Sequence, residues 1–487
     1  MKRLSFANIL ALPKSVRRPK YDRAKVKIGV VHLGIGAFHR AHVAAYFDQI
    51  LESDLSWGII GASLRKPDTR QALAPQDFLY SQVVRSGQGD DIRVIGSLLN
   101  VLDATTQREE LIVELTNPNV RIVSLTVTEK GYCHDPATGK LDRKNTVVVH
   151  DLAHPEAPIS TIGLLVHALE LRRMAGAKPF TVLSCDNLPS NGETVARLVT
   201  EFASLRSKEL ADFIIREVTF PSTMVDRIVP ATTAEDRTQV ARQTGLEDAW
   251  PVVTEPFTQW VIEDKFCAGR PDFAKVGIQL VSDVKPFEHM KLRMLNGSHS
   301  TLAYLGYLAG YDYVAQAIAD PAFHKLIYGL MTQEVMPTLT SGLDDLTAYR
   351  DALLQRFANP ALKHRTWQIA MDGSQKLPQR LLGTIRDQIT TGQSIHRLAL
   401  GVAAWMRYVT GIDEKGAAID VRDPLAQKLR AVAAVAGQNY PQLVRGLLQV
   451  KEIFGEDLPY NQSFTAEVES HLSSLFAKGS LKTVQQL

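Results

Sequence analysis

"KIGVVHLGIGAFHRAH", residues 27–42, runs from an aliphatic, β-branched stretch through two closely spaced glycines into a helical pattern. The apolar run is too short and too β-branched for a helix and reads as a buried strand. The stretch is therefore a strand, a tight turn and a helix in immediate succession. The same order returns downstream, where "WGIIGASL", "IRVIGSL", "RIVSLTV", "FTVLSCDN" and "GIQLVSDV" are strand candidates separated by helical patterns, up to about residue 285. Unbroken apolar runs of this length need cover on both faces, the condition of a mostly parallel sheet between helices. Beyond Pro286 the strand signal largely vanishes, and "STLAYLGYLAG", "LALGVAAWMRYV" and "KLRAVAAVAG" carry helical periodicity. The expected division is an α/β domain over residues 1–285 and a mainly α-helical domain over 286–487. Two domains also suit a chain of 487 residues, since single cores stop growing at ~250–300.

The turn is chemically specific. Gly34 and Gly36 let the backbone fold back tightly and approach a pyrophosphate, whose charge is favoured by the N–H groups that open the next helix. Residues 1–285 are thus expected to be a Rossmann-type dinucleotide-binding domain. His39 stands where the G-x-G-x-x-G fingerprint has its third glycine. At the end of the second strand, in "SLRKPDTR", Asp68 is placed to accept from ribose hydroxyls and to disfavour a 2′-phosphate. Arg65, Lys66 and Arg70 pull the other way; NAD is the expected cofactor and NADP the less favoured one. His39 and His42 are spaced i, i+3 with no carboxylate cluster nearby, and no metal is expected.

Composition excludes several classes of function. Lysine plus arginine number 55 against 52 acidic residues, too even a balance for a nucleic-acid binder. The basic residues Lys14, Arg17, Arg18, Lys20 and Arg23 read as a solvated arm. Cys133, Cys185 and Cys267 are few, odd in number and far apart, which argues against a disulfide framework and for a reducing cytoplasm. No stretch approaches the roughly 18 apolar residues of a membrane span, and the N-terminal apolar stretch is short for a secretory signal.

A second stretch breaks its own pattern. "KLRMLNGSHS", residues 291–300, places Lys291, Asn296 and His299 inside an apolar helical run, with Glu288 just ahead. At about 100° per residue the four fall within an arc of about 140° on one helix face. Burial disfavours an ammonium, and a lysine that has lost its proton is a general base able to take one from an alcohol. Asn296 and Asn187, the latter closing "FTVLSCDN", are amide donors suited to a developing alkoxide.

These residues resemble the polyol-specific long-chain dehydrogenases and reductases. The resemblance spans essentially the whole chain, through "GIGAFHRAH", "VSLTVTEKGY", "FTVLSCDN", "MVDRIVP", "EPFTQWVIEDKF", "KLRMLNGSHS" and "DGSQKLPQR". It implies a metal-independent secondary-alcohol dehydrogenase whose helical C-terminal domain carries substrate and catalytic residues, with the active site in the cleft between the domains. Within K-x-x-x-x-N-x-x-H it implies Lys291 as general acid/base, Asn296 as an oxyanion donor and His299 as a substrate-positioning group. Asn187 is implied as the second oxyanion donor, and Glu288 is associated with proton exchange with solvent. The candidate cofactor contacts are Gly34, Ile35, Gly36, Phe38 and Asp68, with Thr128 in "VSLTVTEKGY".

Within the family, "HRTWQIAMDGSQKLPQR" resembles the fructuronate reductase (D-mannonate oxidoreductase) branch, with Gln368 where the mannitol enzymes carry arginine. The expected reaction is NAD-dependent interconversion of D-mannonate and D-fructuronate. The alternative is oxidation of mannitol to fructose, or of another polyol such as arabinitol. A carboxylate substrate calls for a cationic partner, and Arg293, Arg365 and Lys376 are the candidates. Arg293, about 200° around an α-helix from Lys291, has a surface salt bridge as its rival assignment. Family habit implies a monomer or weak oligomer acting on a small molecule, with no nucleic-acid or membrane partner.

Overall fold

Strand β1, Ile28–Leu33, shows why the N-terminal half folds as it does. Its side chains alternate between two buried clusters: Val31 and Leu33 face one, Val30 the other. The same division holds for β2 (Gly58–Ser63), where Ile60 and Ala62 oppose Ile59, and for β6 (Ile122–Leu125), where Val123 and Leu125 oppose Ile122. Helices such as Thr161–Met174 and Asn191–Arg206 contribute to the first cluster, and the helix Val43–Ile50 to the second. Each fully buried aliphatic side chain contributes about 1.5–3 kcal/mol, so a sheet covered on both sides draws stability from every residue of its short strands.

The computed structural model describes residues 1–135, 138–339, 345–437 and 439–487. The chain forms two compact units, Met1–Glu288 and His289–Leu487. Unit 1 holds a five-stranded sheet in the order β5–β2–β1–β6–β7, every pair parallel, with β5 at Leu98–Asp103 and β7 at Thr181–Ser184. From β1 the chain builds outward through β2 to β5 on one side, and through β6 to β7 on the other. The reversal lies between β1 and β6, where α/β sheets open a crevice at the carboxyl ends of their strands.

Two three-stranded sheets complete unit 1. One joins β3 (Tyr80–Ser86), β4 (Gly89–Ile95) and β9 (Val252–Thr254). The other joins β8 (Thr223–Asp226), β10 (Gln259–Glu263) and β11 (Gln279–Val281). The run "IRVIGSL", expected as one strand, is split: its first half ends β4 in an antiparallel hairpin with β3, and Leu98 starts β5. "GIQLVSDV" yields only β11, parallel to β10 and outside the main sheet.

Unit 2 has no strand among the described residues. At its centre the helix His396–Tyr408 is buried at every position from Leu398 to Tyr408, as befits a helix apolar all round. Gly401 lets this helix approach Ser298–Leu308 closely: a Cβ there would lie 2.7 Å from Thr301 Oγ1. That contact fixes the helix carrying His299. No helix among the described residues is long and apolar enough to cross a membrane.

Candidate active site

In unit 1 the candidate cofactor residues gather at the carboxyl ends of β2, β1 and β6, at the strand-order reversal. Gly34 takes φ +93°, and a Cβ there would stand 2.2 Å from the Thr126 carbonyl oxygen, so only glycine closes this turn without strain. Gly36 differs: nothing lies within 4 Å of where its Cβ would be, leaving an open cradle beside the backbone. Thr126 Oγ1 donates to the Gly34 carbonyl at 2.6 Å and also meets His32 Nε2 at 2.8 Å. The missing third glycine is explained by a ring stack. His39 lies on His32 of β1 with centroids 3.6 Å apart, and so makes the close helix–strand contact that a glycine makes elsewhere. Burial and the neighbouring His32 hold His39 well below the usual histidine range. His42 Nε2 is engaged with the Gln259 carbonyl at 2.9 Å.

Ile35 is buried in the turn, and Phe38 stacks on His42 at 4.9 Å. Asp68 is exposed and opens the helix Asp68–Leu73. Arg70 is turned to the sheet, donating to Asn100 Oδ1 at 3.0 Å and to the Val101 carbonyl, while Arg65 and Lys66 are exposed.

Thr128, beyond β6, is held at φ +66° and ψ 164°, a conformation costing a non-glycine residue on the order of 1–3 kcal/mol. Asp186 keeps it there by accepting from Val127 N at 2.9 Å, Thr128 N at 3.0 Å and Tyr132 Oη at 2.6 Å. Burial pushes the Asp186 carboxyl up to about 6. Asn187, next along, is exposed past the carboxyl end of β7. Glu288 accepts the Ser190 N–H at 3.1 and 3.2 Å, which ties it to this same loop.

In unit 2, Lys291–Gly297 is a π-helix, continued by the α-helix Ser298–Leu308. Its i→i+5 bonding places fewer degrees between residues than an α-helix does, so a face counted at 100° per residue does not carry through the segment. Lys291 and His299 are buried and Asn296 is half-buried. Gly297 is required by packing: a Cβ would lie 2.7 Å from the Arg380 carbonyl oxygen in a second π-helix, Pro378–Leu382.

His299 is the centre of a basic cluster. Its ring stacks on Phe357 at 5.2 Å and meets His364 edge-on at 4.7 Å, and its Nε2 is buried with no hydrogen-bond partner among the described residues. Burial, then the charges of His364, Arg380, Arg356 and Lys376, hold it well below the usual histidine range. His364 is likewise brought down to about 4, by burial and by Lys376. Lys376 donates to the Ile369 and Met371 carbonyls at 3.2 and 2.5 Å.

Of the three expected carboxylate partners, Lys376 is therefore beside His299. Arg293 is ion-paired to Asp387 at 2.6 Å and donates to Thr338 Oγ1 at 2.8 Å, the salt bridge that was its rival assignment. Arg365 is exposed, with its guanidinium over Tyr313. Sequence reasoning missed His364, Arg356 and Arg380. His364 and Arg380 sit at the two ends of "HRTWQIAMDGSQKLPQR", but nothing in their spacing points them at His299.

Comparison with known proteins places the chain in a family. The mannitol dehydrogenase Rossmann domain profile matches residues 28–275, and the mannitol dehydrogenase C-terminal domain profile matches residues 283–476. The chain belongs to the mannitol dehydrogenase family. It is an oxidoreductase of that type. It is 50% identical over 463 residues to the uncharacterized oxidoreductase YeiQ of Escherichia coli K12, covering 94% of each chain. It is 48% identical over 478 residues to the D-mannonate oxidoreductase of the same organism, covering 97% of this chain and 98% of the relative. The solved ternary complex of Pseudomonas fluorescens mannitol 2-dehydrogenase with NAD and D-mannitol superposes with a TM-score of 0.91 at 40% identity, covering 99% of each chain.

Proposed function

We propose that this family member is an NAD-dependent, metal-independent dehydrogenase that interconverts D-mannonate and D-fructuronate. The observation that carries the choice of substrate is the basic cluster around His299. The charges of Arg380, Arg356 and Lys376 all act on His299, a setting that favours a substrate ending in a carboxylate over one ending in a neutral hydroxymethyl group. The 48% identity to a D-mannonate oxidoreductase supports the same reading.

The open cradle at Gly36 and the turn at Gly34 fit a dinucleotide pyrophosphate, with Ile35, Phe38 and Thr128 beside it and Asp68 toward the adenosine ribose. Bound there, NAD supplies the hydride acceptor for the carbinol carbon. Lys291 takes the hydroxyl proton as the carbonyl forms and returns it in the reverse direction. Asn296 donates a hydrogen bond to the developing oxyanion, and Asn187 is assigned the same role. His299 stays neutral near pH 7, so its Nε2 is available to orient a substrate hydroxyl without adding charge. Glu288 passes the proton on to solvent.

NADH formation from D-mannonate, D-mannitol and D-arabinitol tests the assignment. The highest kcat/KM is expected for mannonate with NAD, and Lys376→Met should lower it about tenfold or more while mannitol turnover changes little. A kcat/KM for mannitol far above that for mannonate would overturn the substrate and leave the catalytic residues standing.

A pH effect on cofactor binding follows from Asp186. Above about pH 6 its carboxylate is ionised and holds the Val127 and Thr128 amides. As pH falls through that value it takes up a proton, one oxygen ceases to accept, and the strained Thr128 is released. The dissociation constant for NADH should therefore rise between pH 7 and pH 5. Asp186→Asn, which cannot titrate, should show a flat profile over the same range. A wild-type profile equally flat would remove Asp186 from this role.

A further inference from the structure

We propose that unit 1 carries an anion site separate from the glycine turn, in which Arg93 and Arg227, with Arg17 at the rim, bind a phosphate or phosphomonoester dianion. The site is a cavity of about 240 Å³ between the helix Val43–Ile50 and the hairpin of β3 and β4; Tyr46, Gln49, Gln82 and Thr258 also line it, as does one carboxylate, Asp91, which is paired with Arg17. None of the candidate cofactor residues does. Its volume falls below the ~300–1,000 Å³ of drug-sized ligand sites, which suits a small anion and excludes a dinucleotide.

The guanidinium partners carry the inference. Arg17, at the exposed rim, is paired with Asp91. Arg93 donates through Nε to Gln82 Oε1 at 2.6 Å, and no carboxylate hydrogen-bonds it among the described residues. Among the described residues Arg227 donates to backbone carbonyls alone, of Ala41 at 2.6 Å and of Glu255 at 3.3 and 3.0 Å. Among the described residues these two half-buried cations are thus hydrogen-bonded to neutral oxygens alone. Burial lowers the pKa of both; Arg17 adds to the effect at Arg93, and Arg93 to that at Arg227. Asp48 and Asp91 act in the opposite sense on Arg93, and Glu255 on Arg227, but Asp48 Oδ1 already accepts Tyr21 Oη at 2.6 Å and Gly96 N at 2.8 Å, Asp91 is paired with Arg17, and Glu255 Oε1 accepts Ile228 N at 2.7 Å. A dianion in the cavity would give both guanidinium groups an anionic hydrogen-bond acceptor, and its oxygens match the planar fork of Arg93.

The test is thermal unfolding of the full protein with saturating NADH, which occupies the glycine turn, titrated with inorganic phosphate at constant ionic strength against a chloride control. A saturable rise in Tm with phosphate alone is expected, and Arg93→Gln should weaken its half-saturation by about tenfold or more, the loss of a charge-assisted contact. Should Arg93→Gln fail to fold, Gln49→Glu at an exposed position of the lining places a carboxylate in the cavity and should abolish the response in a folded protein. Glycerol phosphate in place of phosphate separates the sources: tighter binding identifies a phosphomonoester as occupant, weaker binding the free anion. No saturable response in the wild type, or the same response in the variants, overturns the proposal.

Discussion

Replacing Lys291 by alanine is expected to lower kcat by about 10²–10⁴-fold, the usual contribution of a positioned acid/base group, with NADH affinity unchanged. The split follows from where the groups lie. The turn proposed to hold the dinucleotide belongs to unit 1, and Lys291 opens the π-helix of unit 2. Because Lys291 is buried, truncation also leaves a void, and Lys291→Met, which nearly preserves volume, separates packing from proton transfer. Both variants should show the same loss of kcat, and methionine should recover most of any lost Tm. NADH binding is read from nucleotide fluorescence. A methionine variant with near wild-type turnover would remove Lys291 from the chemistry.

The second large effect is expected at the glycines of the turn. Gly34→Ala places a methyl group 2.2 Å from the Thr126 carbonyl oxygen on a backbone at φ +93°. Left-handed strain of ~1–2 kcal/mol and overpacking of ~1–3 kcal/mol should together lower stability by ~2–5 kcal/mol and impair NADH binding. Gly36→Ala meets open space and normal backbone, so Tm should hold while NADH binding weakens as the methyl group enters the cradle. Calorimetry and NADH titration on the two variants give the contrast. Wild-type affinity in both would place the cofactor elsewhere.

Much of the fold was legible because it is written locally. The runs that became β1, β2, β6 and β7 are continuous and apolar, and the end of strand signal after Pro286 matches a strandless unit 2 among the described residues. β5 was obscured because Asn100 and Asp103 interrupt "LLNVLD", and membership of the small sheets depends on pairings that no local pattern records. The site divides the same way. Lys291 and His299 stand out as polar residues in an apolar helix, whereas the Arg293–Asp387 pair joins positions 94 residues apart and Arg356 and Arg380 reach His299 only through tertiary packing. The π-helix escaped notice because its composition is that of an α-helix.

That segment works as a phase setter. One more residue per turn between Lys291 and Gly297 changes the angle at which everything from Ser298 onward is presented, with no visible gap in the sequence. Forcing α geometry on the segment at its present length would turn His299 away from His364 and Phe357, whereas deleting a single residue as the helix relaxes to α geometry would keep His299 nearly in phase. Aligned or designed relatives that look equivalent letter by letter can thus differ in which side chains share a face, and the length of this one stretch becomes as decisive for chemistry as the residues within it.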